Sequence, residues 1–323
     1  MRVLIVKLSS LGDVVHAMPA VQDIRAALPH ARIDWVVERG FSGLVERCEG
    51  VVGVIPCELR RWRRAPLSRE TRQGWRAFRT ALRAQAYDAV IDLQGLSKSA
   101  LVAWTARLAP GGRRYALANR TEGSSYEAPT RWVAHEAVRV ARHVHAVERS
   151  RALCASALGY AQAGPAVFGL RAQQGAGLAA DEVALVHGTS RDDKLWPEAH
   201  WVALGRRLSA SGLRIGLPHG SVAEQDRAGR LAQALGKQAS VWPRLDLGSL
   251  SDRIAGCAGV VGVDSGLSHI ATALDRPHVQ IYNFDTAWRT GPCGSARQRA
   301  VFAAPTPSVE AVWSAWEQVR AAP

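Results

Sequence analysis

Val3-Leu4-Ile5-Val6-Lys7 followed by Ser9-Ser10-Leu11-Gly12-Asp13 is the stretch on which the fold turns. Four consecutive apolar residues suit a strand buried on both faces. The small, glycine-containing turn then opens onto Val14, Met18, Val21, Ile24 and Leu28, whose spacing predicts a helix over 13–28. A strand that turns directly into a helix is the first half of a βαβ unit. Residues 33–37, 51–55 and 89–93 continue as strands. The rhythm restarts with a strand at 183–187, a helix over 198–209 with Pro197 at its first turn, a strand at 214–217 and a helix over 225–235. A strand at 260–263, a helix opening at 268–274, a last strand at 279–282 and a terminal amphipathic helix over 308–321 complete the series. Alternating strands and helices predict parallel sheets covered on both faces: an α/β fold of two Rossmann-like, doubly wound domains facing a central cleft.

The chain has 323 residues, of which 47% are apolar, enough for two packed domains. A Gly-, Ala- and Gln-rich stretch at 164–181 reads as the linker between a domain over 1–163 and one over 182–305. The helix at 306–323 has packing back on the N-terminal domain as one option. No apolar run approaches the ~18 residues a membrane span needs. No secretory pattern opens the chain, so a cytoplasmic protein is expected. The cysteines, Cys48, Cys57, Cys154, Cys257 and Cys293, are odd in number and scattered, with no C-x-x-C, which suggests neither a disulfide framework nor a zinc knuckle.

The net charge of +13 is unevenly placed: residues 1–160 carry +11 and residues 161–323 carry +2. A bias toward arginine explains why only four of 41 basic residues are lysine, but not the asymmetry. An anionic partner of the N-terminal half is implied: nucleic acid, an anionic membrane surface or a phosphorylated substrate.

Ligands of doubly wound sheets bind at the carboxyl ends of the strands. The polar turns at 9–13, 188–194, 218–224 and 264–269 fall there. Ser9-Ser10-Leu11-Gly12-Asp13 offers backbone N–H groups at a helix start but lacks G-x-G-x-x-G. Asp13 is either a helix cap or a carboxylate general base. Gly188-Thr189-Ser190-Arg191-Asp192-Asp193-Lys194 is not a P-loop, yet its hydroxyls and cations make a phosphate cradle with Lys194 as the point charge. A solvated charged loop is the competing reading. Asp264-Ser265-Gly266-Leu267-Ser268-His269 turns a strand into a helix start able to face an anion, while Asp264 can hold ligand hydroxyls. Nine arginines between 60 and 83, with the single acid Glu70, make a basic amphipathic segment whose Trp62, Trp75 and Phe78 are expected at a bilayer interface. A solvated face, or nucleic-acid binding without any accompanying recognition motif, competes. His143 and His145 form an H-x-H, and Asp192 and Asp193 are adjacent, but neither has metal-ligand spacing.

The opening Met1-Arg2-Val3-Leu4-Ile5-Val6-Lys7-Leu8-Ser9-Ser10-Leu11-Gly12-Asp13-Val14 resembles that of the lipopolysaccharide heptosyltransferase I family. So do Arg60-Arg61-Trp62-Arg63-Arg64, Tyr87-Asp88-Ala89-Val90-Ile91-Asp92, His145-Ala146-Val147-Glu148-Arg149, the segment 189–197 and Asp264-Ser265-Gly266-Leu267-Ser268-His269, collinearly over nearly the whole chain. The resemblance implies a GT-B glycosyltransferase that moves L-glycero-D-manno-heptose from ADP-heptose to the inner Kdo of Kdo-lipid A in lipopolysaccharide inner-core synthesis. The transfer is inverting, needs no metal or other cofactor, and takes place on the cytoplasmic face of the inner membrane with the protein peripheral on that anionic surface; no nucleic-acid partner is implied. It assigns the first domain to the acceptor and the second to the donor. It makes Asp13 the general base and Lys194 the catalytic ligand of the donor phosphates. It places Ser10, Gly12, Thr189, Ser190, Glu224, Asp264, Ser265, Gly266 and His269 in the donor pocket, and Arg60, Arg61, Arg63, Arg64 and Arg120 against the acceptor. Tyr282-Asn283-Phe284-Asp285-Thr286 stands where the family has Tyr-Gly-Pro-Thr-Asp-Pro, and Ser190 where Thr is common. Competing readings are heptosyltransferase II, a sugar-nucleotide epimerase, and a basic non-enzymatic membrane- or nucleic-acid-binding protein.

Overall fold

A computed structural model describes residues 1–173, 180–293 and 295–322. The chain divides into two compact units, Met1–Gly169 and Leu170–Pro323.

The first unit holds six parallel strands, β1 (Arg2–Val6), β2 (Arg32–Glu38), β3 (Val51–Cys57), β4 (Tyr87–Asp92), β5 (Leu108–Leu117) and β6 (Glu136–Val138), in the order β3-β2-β1-β4-β5-β6. Its helices are α1 (Leu11–Ala27), α2 (Ser42–Val45), α3 (Leu59–Arg64), α4 (Arg69–Arg83), α5 (Ser97–Thr105), α6 (Pro129–Val133) and α7 (Ala146–Leu158). After Arg2, β1 is apolar because it lies between β2 and β4, with Ile5 opposite both Trp35 and Ile91. Val3, Leu4, Ile5 and Val6 are fully buried. Strand order reverses between β1 and β4, which opens a crevice at their carboxyl ends, where the turn 9–13 sits.

The second unit repeats this architecture. β7 (Glu182–Val186), β8 (Arg214–Leu217), β9 (Ala239–Val241), β10 (Gly259–Val263), β11 (His278–Tyr282) and β12 (Gln298–Phe302) lie in the order β12-β11-β10-β7-β8-β9. Read from β7, that is the same winding. The helices are α8 (Glu198–Ala210), α9 (Val222–Leu235), α10 (Leu247–Gly256), α11 (Gly266–Ala273), α12 (Ala287–Thr290) and α13 (Val309–Ala321). The switch point falls between β7 and β10, beside the turns 188–194 and 264–269.

Three expectations change. The strand at 279–282 is not the last: β12 pairs with β11 from His278–Gln298 to Tyr282–Phe302. As an edge strand with a solvated face, β12 opens on Gln298 and Arg299 and has only the short apolar run Ala300-Val301-Phe302. The terminal helix belongs to the second unit, not the first. Its stripe Val312, Ala315, Trp316 and Val319 is buried in that unit's core with Val279 and Ile281. The expected linker begins packed: Phe168 and Leu170 are buried, and the Glu49 N–H donates to the Gly169 carbonyl at 2.8 Å. Residues 174–179 of it lie outside the described residues. Among the described residues no helix is long and apolar enough to cross a membrane.

Two fully buried histidines of the second unit, His187 and His278, give the fold an acid-sensitive side. Burial lowers each from 6.5 to about 4, with the nearby Arg227 adding to the effect on His187. The unfolded chain therefore binds protons that the folded chain refuses. Stability is complete above pH 6.5 and is lost as pH falls toward 4, by up to roughly 3 kcal/mol per group. Urea midpoints measured across this window should fall with pH, and His278→Asn should flatten the decline; a midpoint insensitive to pH would contradict neutral burial.

Candidate active site

Each unit carries one polar cluster at its switch point. In the first, Asp13 occupies the opening turn of α1, so its carboxylate lies beside the end of β1. Its Oδ2 accepts from the Ser10 N–H at 3.2 Å and the Ser10 hydroxyl at 2.8 Å. Its Oδ1 lies 3.3 Å from Lys7 Nζ and 3.5 Å from Arg149 Nη2. Asp13 thus caps its helix and also keeps 34% of its side chain open to solvent. Burial alone raises its pKa, but Lys7, Arg149 and the Ser10 hydroxyl outweigh it and hold the carboxyl well below the usual range. Lys7 is buried, donates to the Leu93 carbonyl at 3.0 Å, and has its own pKa lowered by that burial. Gln94 braces the turn after β1: its Oε1 accepts from the Leu8 and Ser9 N–H groups at 3.1 Å each. Gly12 lies in the same helical turn. Lys7, Arg149 and Gln94 were missing from the sequence reading. A lysine that ends a fully buried strand was the available signal for the first of them.

In the second cluster, Lys194 Nζ donates to Asp264 Oδ2 at 2.6 Å. His269 Nε2 lies 3.5 Å from Asp264 Oδ1, and Gln280 Nε2 donates to the same oxygen at 3.5 Å. Burial raises the Asp264 pKa, but His269 and Lys194 override it and keep the group ionised. The Thr189 hydroxyl donates to the Asp264 carbonyl at 3.0 Å, which joins the two turns. Ser190 is exposed beside it, and Ser265 and Gly266 open α11. Glu224 accepts from the Gly220 and Ser221 N–H groups at the start of α9. It closes so tightly on Gly188 that a Cβ there would sit 2.5 Å from its Oε1, so a larger residue would have to displace the Glu224 side chain.

The divergent loop has a definite role. Asn283 Nδ2 donates to the carbonyls of Asp193 at 2.9 Å and Leu195 at 3.0 Å, on either side of Lys194, and its Oδ1 accepts from the Thr306 hydroxyl at 2.7 Å. Next to Glu224, a cavity of about 480 Å3 is lined by His219, Gly220, Ser221, Val241, Trp242 and Pro243 at the ends of β8 and β9. Neither Asn283 nor this cavity followed from the sequence.

Arg60, Arg61, Arg63 and Arg64 are exposed on α3, while Trp62 is buried. Arg61 Nη1 lies 3.4 Å from Glu58 Oε1. Insertion of Trp62, Trp75 and Phe78 into a bilayer is ruled out. Trp62 and Phe78 are 8% and 4% exposed and, with Trp75, form a three-ring cluster whose centroids are 5.6 to 5.8 Å apart, part of the core under α4. Arg120 lies in the loop after β5, its Nε donating to the Ser124 carbonyl at 3.1 Å. His143 pairs with Glu122, and His145 caps α7. Among the described residues no group of three His, Cys, Asp or Glu side chains assembles to hold a metal.

Two doubly wound sheets in one chain, each presenting a polar turn at its switch point, define an α/β glycosyltransferase of the GT-B kind. The chain belongs to glycosyltransferase family 9 (heptosyltransferase), whose family model matches residues 75–312. It is 42% identical over 291 residues to lipopolysaccharide heptosyltransferase 1 of Escherichia coli strain K12, covering 87% of this chain and 88% of that one. It is similar to the solved E. coli heptosyltransferase WaaC with ADP, at a TM-score of 0.88 and 37% identity over 99% of this chain and 100% of the other. The same enzyme with ADP-2-deoxy-2-fluoro heptose matches at a TM-score of 0.83 and 36% identity, over 98% and 99% of the two chains.

Proposed function

We propose that this enzyme transfers L-glycero-D-manno-heptose from ADP-heptose to the inner Kdo of Kdo-lipid A, with inversion and without a metal, while peripheral on the cytoplasmic face of the inner membrane. The observation that carries the reading is the pair of clusters: a solvent-accessible carboxylate kept ionised in one unit, and a lysine paired with a buried aspartate among the polar turns of the other. The relatives' names and the ADP and fluoro-heptose bound to WaaC support the donor.

In this reading the acceptor hydroxyl attacks the anomeric carbon, the bond to the ADP oxygen breaks, and the hydroxyl proton passes to Asp13. The two cations that hold Asp13 ionised also make it a weak base. The proton therefore moves late, once bond formation has acidified the attacking oxygen. Lys194 and the N–H groups opening α11 take up the charge developing on the diphosphate. The cavity beside Trp242 receives the adenine, Glu224 and Asp264 hold hydroxyls, and Thr189, Ser190, Ser265, Gly266 and His269 complete the donor pocket.

ADP release from ADP-heptose, measured with Kdo-lipid A, with its heptosylated product and with no acceptor, tests the reading. Release only with the heptosylated acceptor would favour heptosyltransferase II, and release that ignores the acceptor would refute transfer. EDTA should leave turnover unchanged. Arg60, Arg61, Arg63 and Arg64 fork onto the acceptor's phosphates and carboxylates. Replacing all four with Ser should raise acceptor KM about tenfold or more and leave ADP affinity unchanged, since several exposed charges worth up to ~1 kcal/mol each are lost together. An unaltered KM would reduce the segment to a solvated face.

A further inference from the structure

We propose that Trp104 and Trp132, presented by α5 and α6, form the face by which the first unit docks on an anionic phospholipid bilayer. The inference rests on the peripheral-membrane reading above and gives it a surface different from the arginine segment, whose aromatic rings are buried.

The chain has 11 tryptophans, and Trp35, Trp62, Trp196, Trp201, Trp242 and Trp316 are buried. Trp104 is 63% exposed and Trp132 77%, with Leu101 at 45% one turn before Trp104 on α5. The two helices share both ends. At their starts the Glu127 N–H donates to the Gly95 carbonyl at 2.9 Å, and Glu127 Oε2 accepts from the Ser97 N–H at 2.7 Å. At their finishes Arg114 Nη2 donates to the Trp104 carbonyl at 3.1 Å, while the Arg114 carbonyl accepts from the His135 N–H, three residues past Trp132, at 2.8 Å. α5 and α6 therefore run in the same direction, and both indoles stand at the same end.

That end is cationic. Arg107 and Arg131 are exposed there, and Arg83, the last residue of α4, donates through Nη1 to the Thr105 carbonyl at 3.2 Å. The exposed Arg72, Arg76 and Arg79 of α4 extend the positive field from the same junction. The acids nearby are Glu136, 3.8 Å from Arg113, Asp88, which accepts from the Arg2 N–H at 2.6 Å, and Glu127, which is used at the opposite end of α5. Exposed indoles are costly in water but suit the boundary between headgroups and acyl chains, where the ring is sheltered and its N–H stays wet. A guanidinium rim around them matches phosphate headgroups, each cation near the surface adding attraction that salt screens. A second copy of this chain would bring the same arginines against each other, so charge complementarity selects the anionic bilayer.

Co-sedimentation of the full chain with vesicles of equal parts phosphatidylglycerol and phosphatidylcholine, without substrate, tests docking apart from catalysis. The wild type should bind, bind less as salt rises, and ignore pure phosphatidylcholine. W104S/W132S should partition about tenfold or more less tightly, while W104F/W132F retains most of the binding. Both variants should keep the wild-type melting temperature and the wild-type rate of ADP release with a detergent-solubilised acceptor. Undiminished vesicle binding by W104S/W132S, equal binding to neutral vesicles, or a wild-type dimer that W104S/W132S converts to monomer would each overturn the proposal. Loss of ADP release with vesicle binding intact would count against the transferase reading and leave the docking face standing.

Discussion

Asp13→Asn is expected to lower kcat by about two to four orders of magnitude while leaving ADP affinity nearly unchanged. Asparagine is the discriminating choice. Its side-chain oxygen can still accept from the Ser10 N–H, so the start of α1 keeps its local bond, and what disappears is the charge and the capacity to take a proton. A carboxylate that only caps the helix would therefore tolerate the change. The variant also leaves Lys7 and Arg149 without their shared counter-ion, and Lys7 is 2% exposed. Some stability is lost with it, discounted because a third of the Asp13 side chain faces solvent. A melting curve beside the kinetics separates the two effects: a fall in kcat far larger than the unfolded fraction explains assigns the loss to chemistry. The direction with pH is also defined. Because the folded Asp13 pKa lies below its ordinary 3.8, the carboxylate is ionised throughout the physiological range, and the acid limb of kcat should not appear until well below pH 4. Near-normal turnover of Asp13→Asn, or an acid limb near neutrality, would return Asp13 to the role of a cap.

Much of this architecture was legible because the central strands have no freedom in composition. β1, β7, β10 and β11 are flanked on both sides, so most of their residues are apolar, with Glu182, His278 and Gln280 as the buried exceptions, and the polar turn after each stands out against them. The strands that escaped notice lie away from those centres. β5 contains Pro110-Gly111-Gly112 and two arginines, and its pairing with β4 shifts register between Tyr87 and Ala89. A Cβ on Gly112 would sit 2.5 Å from the Tyr87 carbonyl, so the glycine that hides the strand is what permits it. β6, β9 and β12 are short or at edges and need no alternation. The site divided in the same way. Asp13, Lys194 and Asp264 stand in turns next to their strands, where sequence proximity reports spatial proximity. Arg149 reaches Asp13 across 136 positions of chain, and Asn283 reaches the Lys194 loop from about 90 residues away. Helical periodicity also placed Trp75, Phe78 and Leu82 on one apolar face but could not say whether that face, with Trp62 beside it, meets a bilayer or the protein's own core. Gly74 decides it, since only a residue without a side chain lets the Trp62 indole lie so close to α4.

Lys194→Ala should weaken ADP binding by about a hundredfold and lower kcat by a comparable or larger factor, because two changes occur at once. The cation proposed to face the diphosphate is lost, and Asp264, 6% exposed, loses the partner at 2.6 Å that neutralises it. What remains near Asp264 is His269 at 3.5 Å and Gln280 at 3.5 Å, too little to offset a carboxylate beside two phosphates. The single variant thus turns an attractive site into a repulsive one, and its effect exceeds the worth of the lysine contact alone. This non-additivity is measurable. Asp264→Asn in the Lys194→Ala background removes the stranded charge and should recover part of the ADP affinity, whereas Asp264→Asn alone should weaken it by removing the group that positions Lys194. Calorimetric titration of ADP into the four proteins of this cycle gives the coupling directly. Asn283 holds the loop on both sides of Lys194 independently of Asp264, so loop geometry is retained throughout the cycle and the coupling reads charge rather than collapse. Additive losses in the double variant would mean that Asp264 contacts the donor in its own right and that Lys194 acts without it.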